Sequence, residues 1–311
     1  MNLSLFDTHC DTAYELYHKK EDLWENTCHI SLSSAQVYEK YAQLFAVWSS
    51  KRLDDQTCWQ QFLLIAENFD RLINRQGAYI QRNTTVQPLQ HTDRLAILAV
   101  EDARLLAGDI ERLQILYDMG VRCITLLWGG ESCIGGSHDT QTGLTDFGKL
   151  VTKRCFELGI IPDISHASEQ SVDDVIEIAR MCQRPFIATH SNSYSAYPHT
   201  RNLRDRHLTA LMELGGIVGI SMCPAHLCDC SEKNANIDNV IKHIDRYMEL
   251  GAQNHLCFGC DFDGTNLPSE IARVEDLYKI ADKLSLYGYS QELIENIFWK
   301  NAYTFFQKQL I

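Results

Sequence analysis

Two short segments of the chain, His9-Cys10-Asp11 and Asp163-Ile164-Ser165-His166, set imidazole and carboxylate groups where an apolar run stops. Three more segments do the same. Leu95–Val100 runs into Glu101 and Asp102, Pro185–Ala188 into Thr189-His190-Ser191, and Leu256–Cys260 into Asp261-Phe262-Asp263-Gly264. His9 and Asp11 are two residues apart, and in an extended segment such residues share a face, so both can reach one ion. Neutral imidazole suits zinc, and His166 and His190 offer two more such ligands. Glu101 closes an otherwise apolar run, where a carboxylate is costly to bury unless it is paired or holds a metal. The expected constellation is His9, Asp11 and Glu101 on one metal, with Glu101, His166 and His190 on a second. Two ions about 3.5–4 Å apart hold a bridging hydroxide at neutral pH and polarise a carbonyl. Asp261 has no metal in this scheme. It is expected to carry a proton from the nucleophilic water to the leaving amine, so Asp261 and Glu101 are the catalytic carboxylates.

These residues need a frame that gathers strand ends on one rim. Eight apolar, β-branched runs read as strands: Leu3–His9, Ala42–Trp48, Leu95–Glu101, Cys123–Trp128, Ile160–His166, Pro185–His190, Ile217–Met222 and Leu256–Phe262. Between them apolar residues recur at helical spacing, as in Trp59–Ile73, Ile110–Met119, Phe147–Leu158, Val172–Ala179, Leu208–Leu214 and Ile237–Leu250. Gly120, Gly159, Gly215 and Gly251 read as helix stops, and Thr145 and Ser168 as N-caps. Strands alternating with helices mean a parallel sheet, and eight units favour an α/β fold of the (β/α)8 TIM-barrel type, in which catalytic groups sit at the C-terminal ends of strands. No GxGxxG follows the first strand, so a dinucleotide-binding sheet has no support. Val274–Leu286 and Gln291–Gln307 read as extra C-terminal helices, the last docked through Ile294, Ile297, Phe298, Tyr303 and Phe306. No repeat or linker divides the chain, which reads as a single domain over residues 1–311.

The 28 Lys+Arg against 41 Asp+Glu give a net charge of −13. A nucleic-acid partner calls for a basic stripe, so none is expected. The hydrophobic fraction of 45% is enough for a large core. No apolar run approaches the 18 or so residues of a membrane span, so no membrane partner is expected. The start, MNLSLFDTHCDT, has no basic region or cleavage site, and the expected location is cytoplasmic. The 12 cysteines are then expected as thiols, many in apolar runs. Cys257-Phe-Gly-Cys260 has redox spacing but lies within a strand. His226-Leu-Cys228-Asp-Cys230 has alternate thiol spacing but no second ligand pair. Ser191 and Ser193 stand near His190 without a G-x-S-x-G elbow.

Taken in order, FDTHCDT at 6–12, LAVED at 98–102, DISH at 163–166, THSNSYSAYPHTRNLRD at 189–205, DNVIKHIDRYMELG at 238–251 and FGCDFDG at 258–264 resemble the renal (membrane) dipeptidase family. These are dinuclear zinc dipeptidases, peptidase family M19, and the chain is similar to bacterial-type members. The resemblance implies metal roles for His9, Asp11, Glu101, His166 and His190. It adds Arg201 as the cation for the substrate's terminal carboxylate, a task suited to a guanidinium fork. It sets Asp261 near the substrate amino group. Two positions depart from the pattern. Trp128 stands where animal members carry a carbonyl-polarising His; it remains a substrate-side residue, and polarisation would fall to the metals or to a group in the loop Gly129–His138. Asp102 replaces a small residue after Glu101 and would add negative charge near the metals.

The expected function is a metallodipeptidase with two Zn²⁺ per chain, the same ligands admitting Mn or Fe. Its substrate is a small free dipeptide, and the resemblance implies tolerance of a D-residue at the C-terminal position. A homodimer is left open. The alternative is an amidohydrolase-type metallohydrolase acting on a non-peptide amide or ester. Phosphotriesterase-like relatives bridge their metals with a carboxylated Lys from the fourth strand; this chain has none there and offers Glu101.

Overall fold

The computed structural model describes residues 3–77, 79–82, 94–229 and 234–310. Its strands are β1 Leu5–Cys10, β2 Tyr41–Trp48, β3 Gln81–Arg82, β4 Arg94–Glu101, β5 Val121–Thr125, β6 Ile161–Asp163, β7 Val218–Ile220 and β8 Leu256–Phe258. They form one parallel sheet in the order β6-β5-β4-β2-β1-β8-β7, with β3 beside β4. The sheet curls into an α/β barrel-like fold.

The expected strand Pro185–His190 is not a strand. Only two single parallel bridges remain, Asp163 with Ile187 and Ala188 with Val218. The backbone groups here serve different neighbours. Ile187 N–H donates to the Pro162 carbonyl at 3.1 Å, Ala188 N–H to the Ile217 carbonyl at 3.1 Å, and Thr189 N–H to the Asp163 carboxylate at 2.8 Å. A side chain thus takes the bond that would have continued the ladder.

Helices cover the outside. In Ile237–Glu249 the buried residues Ile237, Val240, Ile241, Ile244 and Tyr247 fall three and four apart, one stripe turned to the sheet. Both expected N-caps are present: Thr145 Oγ1 accepts from Gly148 N–H, and Ser168 Oγ from Ser171 N–H. Gly159 ends its helix at φ +80°, a conformation that favours glycine. Helix Thr12–Lys19 and strand β3 were not expected.

The lumen holds its own apolar cluster. Phe6, Leu44, Leu95, Ile97, Ile187 and Ile217 meet Trp299, Phe305, Phe306 and Leu310 from the C-terminal segment. Phe6 stacks on Phe306 at 5.1 Å between ring centroids. The expected helix Gln291–Gln307 is broken into Gln291–Glu295, a π turn over Asn296–Lys300, and Asn301–Gln309. A π turn inserts one extra residue and rotates the rest of the helix about its axis. The expected docking set is therefore split. Ile294, Ile297 and Phe298 join the core outside the sheet, while Phe306 and the unforeseen Trp299 fill the lumen. One end of the barrel is plugged, and polar strand ends gather at the other.

Among the described residues, ten cysteines are free. Cys228 is disulfide-bonded, which corrects the thiol expectation there; it sits in a loop after helix Pro224–Leu227, not in an apolar run. Cys230 lies outside the described residues. Cys257 and Cys260 are separate buried thiols whose pKa values burial pushes up, the opposite of a redox motif.

Candidate metal centre

Strand phase explains Glu101. Leu95, Ile97 and Ala99 of β4 face the lumen, so Glu101 does too. Phase alone fails for His9. Phe6 faces the lumen and Asp7 the outer side, where it accepts from Gln43 Nε2 at 3.0 Å. Strict alternation would send His9 outward with Asp7. Pairing with β2 slips between Asp7 and Cys10, and this irregularity turns His9 into the mouth. Asp7 pins it by accepting from the N–H groups of His9, at 2.9 Å, and Cys260, at 3.0 Å.

His166, His190 and Asp261 do not sit on strands, contrary to the expected ranges. β6 stops at Asp163 and β8 at Phe258. His166, at φ +70°, and Asp261, at φ +62°, adopt left-handed backbone that a strand cannot contain. Non-glycine residues held this way cluster at functional sites. Asp163 organises this rim as Asp7 does the other. It accepts from the N–H groups of Ser165, at 2.9 Å, and Thr189, at 2.8 Å, and from the Thr125 and Thr189 hydroxyls, each at 2.5 Å.

The expected donors converge. Glu101 Oε1 lies 3.0 Å from His166 Nε2 and 3.5 Å from His190 Nε2. Its Oε2 lies 3.7 Å from His9 Nε2. His9 Nε2 is also 3.6 Å from Asp11 Oδ2 and 3.8 Å from Asp261 Oδ1. His9, Glu101 and His190 form one group with all ligand atoms within 4.8 Å, and His9, Asp11 and Asp261 form another. The two oxygens of Glu101 thus face two different sets, and Asp261 stands closer to the ligands than the spacing of the motifs suggests.

Partners of the far ring nitrogens fix the tautomers. His166 Nδ1 meets the Trp128 carbonyl at 2.8 Å and must donate. Thr189 Oγ1 donates to Asp163, so it accepts from His190 Nδ1 at 2.7 Å. Both Nε2 atoms are left as lone pairs, 2.9 Å apart. Two acceptors that close repel unless something positive lies beside them.

Charge points the same way. Burial pushes His166 and His190 well below the usual imidazole range, with Arg201 and His9, respectively, the next causes. Burial, then Asp11, pushes Glu101 well above the carboxylate range. Burial raises Asp261 to about 7 against the pull of His9. Burial also opposes a charge on His9, but Glu101, Asp11 and Asp261 outweigh it and raise its pKa to about 10. His9 Nε2 and Asp11 Oδ1 are buried without a hydrogen-bond partner among the described residues. Crowded carboxylates, lone-pair imidazoles and orphaned donor atoms fit divalent cations.

A cavity of about 460 Å³ opens over this cluster, lined by Asp11, Trp48, Glu101, Trp128, His138, His166, Arg201 and Asp261. Arg201 is 6% exposed and its Nε has no partner among the described residues. Trp128 packs edge-on against Trp48 at 5.0 Å and lies 6.0 Å from the His166 ring. Burial, then Arg201, pushes His138 down to about 4, so its ring is neutral. Asp102 is drawn away from the cluster. It caps Arg104 N–H and pairs with Arg104 Nε at 3.1 Å, so the extra charge expected beside the metals is balanced locally. Sequence reasoning missed Trp48 and the supporting roles of Asp163 and Thr189. Adjacency of Thr189 to His190 was the one available signal.

A family model for membrane dipeptidases, peptidase family M19, matches residues 1–309. A Klebsiella pneumoniae protein from the pqqA 5′ region is 29% identical over 254 residues, 78% of this chain and 92% of that one. Dipeptidase tcpJ of Claviceps purpurea is 29% identical over 214 residues, 67% of this chain; the match spans 49% of that longer protein. Among solved structures, the M19 metallopeptidase dipeptidase AC superposes with a TM-score of 0.92 at 23% identity, covering 100% of this chain and 99% of that one. A Rhodobacter sphaeroides metallopeptidase, liganded with a phosphinate mimic of L-Ala-D-Ala, gives 0.91 at 23% identity, covering 99% and 100%. At such identity these superpositions establish the fold.

Proposed function

The chain belongs to the membrane dipeptidase family, peptidase family M19, and from that premise we propose that it is a metal-dependent dipeptidase acting on free dipeptides, including those with a D-residue at the C-terminal position. One observation carries this reading. A buried donor cluster and a buried guanidinium whose Nε lacks a partner among the described residues share one cavity of about 460 Å³, a volume that accommodates a dipeptide. The first suits divalent cations and the second a carboxylate.

His9, Asp11 and Glu101 would hold one ion, and Glu101, His166 and His190 the other, with Zn²⁺ the expected metal and Mn or Fe admitted by the same ligands. Ions bound there would supply Lewis-acid chemistry, making a water nucleophilic at neutral pH and polarising a carbonyl. The rest falls to the chain. Arg201 binds the C-terminal carboxylate and fixes the direction in which the dipeptide lies. Hydrolysis forms a C–O bond from water to the carbonyl carbon and breaks the C–N bond, so one proton must reach the leaving nitrogen. Asp261 carries it, accepting at a carboxylate oxygen and donating to the amine; its position beside His9 and its pKa near neutrality support the role. Trp128 and Trp48 wall the cavity and keep out bulk water. The frame is read as a closed (β/α)8 barrel with residues 187–188 as the sixth stave, one domain over 1–311. No helix among the described residues is long and apolar enough to cross a membrane, and a cytoplasmic location is part of this reading.

The test is metal quantification joined to a substrate panel. Chelation should abolish hydrolysis of L-Ala-L-Ala and L-Ala-D-Ala, and Zn²⁺ should restore it with two ions per chain. Full activity in metal-stripped protein refutes the mechanism. Preference for amides without a terminal carboxylate shifts the reading to a non-peptide amidohydrolase.

A further inference from the structure

The loop after β5 folds over the cavity and carries His138, tied down on two sides. Its N–H donates to the His166 carbonyl at 2.7 Å, and the preceding Ser137 pairs with Ala167 as an antiparallel bridge. Its ring Nδ1 meets Thr200 Oγ1 at 3.0 Å. His138 is therefore fastened on one side to the residue that presents a metal-facing imidazole, and on the other to the residue before Arg201. Its ring lies 6.1 Å from that of His166, edge-on, and lines the cavity. A dipeptide with its carboxylate on Arg201 and its scissile bond toward His166 must pass this ring.

We propose that His138 is a catalytic residue that donates an Nε2–H hydrogen bond to the scissile carbonyl oxygen. The proposal rests on the dipeptidase reading above. The Thr200 contact at Nδ1 admits either tautomer; in the one proposed, the hydroxyl donates to Nδ1 and the ring proton sits on Nε2, for which no partner is seen among the described residues. Negative charge grows on the carbonyl oxygen as water adds, so a donor already aimed there acts most strongly in the transition state. Trp128 and Arg201 are committed elsewhere. The Trp128 carbonyl holds His166 and its indole packs on Trp48, and Arg201 is needed at the carboxylate. Lys51 lies over the Trp128 ring at 5.3 Å and pairs with Asp139 at 3.7 Å, at the outer lip.

The experiment compares metal-loaded wild type, His138→Ala and His138→Gln on L-Ala-D-Ala, with metal content and melting temperature measured on each. His138→Ala should lose about 10²-fold in kcat with KM within a few-fold, the size expected for one transition-state donor. Metal content should not change. A phosphinate dipeptide mimic, whose tetrahedral centre resembles the transition state, should lose affinity in the same proportion as kcat/KM, while a product amino acid keeps its affinity. His138→Gln, which retains an N–H donor, should recover about tenfold over alanine. His138→Phe keeps the ring without nitrogens and serves where the alanine variant does not fold. Turnover within threefold of wild type, or a loss confined to KM, overturns the proposal alone. A metal-loaded wild type that hydrolyses no dipeptide overturns the dipeptidase reading and this proposal together.

Discussion

Thr189 illustrates how much of the site rests on residues that never touch an ion. Its hydroxyl gives its one proton to Asp163 and so must receive the proton of His190 Nδ1, which turns the Nε2 lone pair toward Glu101. Outer partners of this kind are typically worth about 10–100-fold in metal affinity. Thr189→Val should lower affinity for Zn²⁺ by that factor in competition with a chelator, and Thr189→Ser should restore most of it; equal affinity in all three proteins would mean that the hydroxyl does not orient the ring. Arg201 is tested through the substrate. Losing a charge-assisted bidentate contact costs on the order of 1.5–3 kcal/mol, so Arg201→Ala should lower kcat/KM for dipeptides about 10–100-fold. The loss against a dipeptide amide should be much smaller; equal losses would show that Arg201 does not read the carboxylate. The residues that meet at the cluster were legible because a His or Glu at the end of an apolar run has few bland explanations. Thr189 and Asp163 were not, since a threonine and an aspartate at a strand end look like ordinary turn residues until their partners are known.

Helices were easier to read than strands, and the reason is length. Ile237–Glu249 shows its apolar stripe over three turns, whereas β6, β7 and β8 are three residues each, too short for a period of two to declare itself. The ends of three expected strands are loops held by side-chain carboxylates, a device that hydropathy does not encode. Nor does periodicity predict the π turn at Asn296–Lys300, because one inserted residue leaves the apolar count unchanged. Helix Ile237–Glu249 also offers a pH test. His243 lies on it fully buried, accepting from Ser193 N–H at Nδ1, 3.1 Å, and donating from Nε2 to the Leu227 carbonyl, 3.0 Å. Both bonds require the neutral ring, and burial pushes its pKa from 6.5 down to about 4. The unfolded chain binds this proton near 6.5 and the folded chain near 4, so the stability His243 contributes is complete above 6.5 and lost as pH falls through 4. Between pH 7.5 and 4.5, wild type should lose about 2–3 kcal/mol more than His243→Gln in urea melts. Parallel losses in the two proteins would place the titration elsewhere.

At the scale of the whole molecule, the alternation of runs was enough to call for a parallel α/β barrel, but not to say what fills it. The plug comes from the far end of the chain: Trp299, Phe305, Phe306 and Leu310 pack against Phe6, Leu44 and Leu95 inside the lumen. Truncating a buried tryptophan costs about 3–5 kcal/mol. Trp299→Ala should therefore lower the melting temperature by several degrees, and it should weaken metal binding little, since the plug lies at the opposite end from the donors. A variant that melts normally would show that the lumen repacks without it.

The seam between the two ends of the chain gives synthesis a definite last act. β1, which carries His9 and leads into Asp11, lies beside β8, and Thr8 bonds the Phe258 carbonyl 250 residues further on. The donors made first on the ribosome therefore lack the strand that fixes β1 until β8 has emerged, and have no sealed floor beneath them until Leu310 has been added. Pairings this distant in sequence form slowly, with the early strand's edge exposed meanwhile. A nascent chain stalled before residue 256 should hold His9, Asp11, Glu101, His166 and His190 and still fail to retain zinc, so the enzyme would acquire its metal as a finished protein.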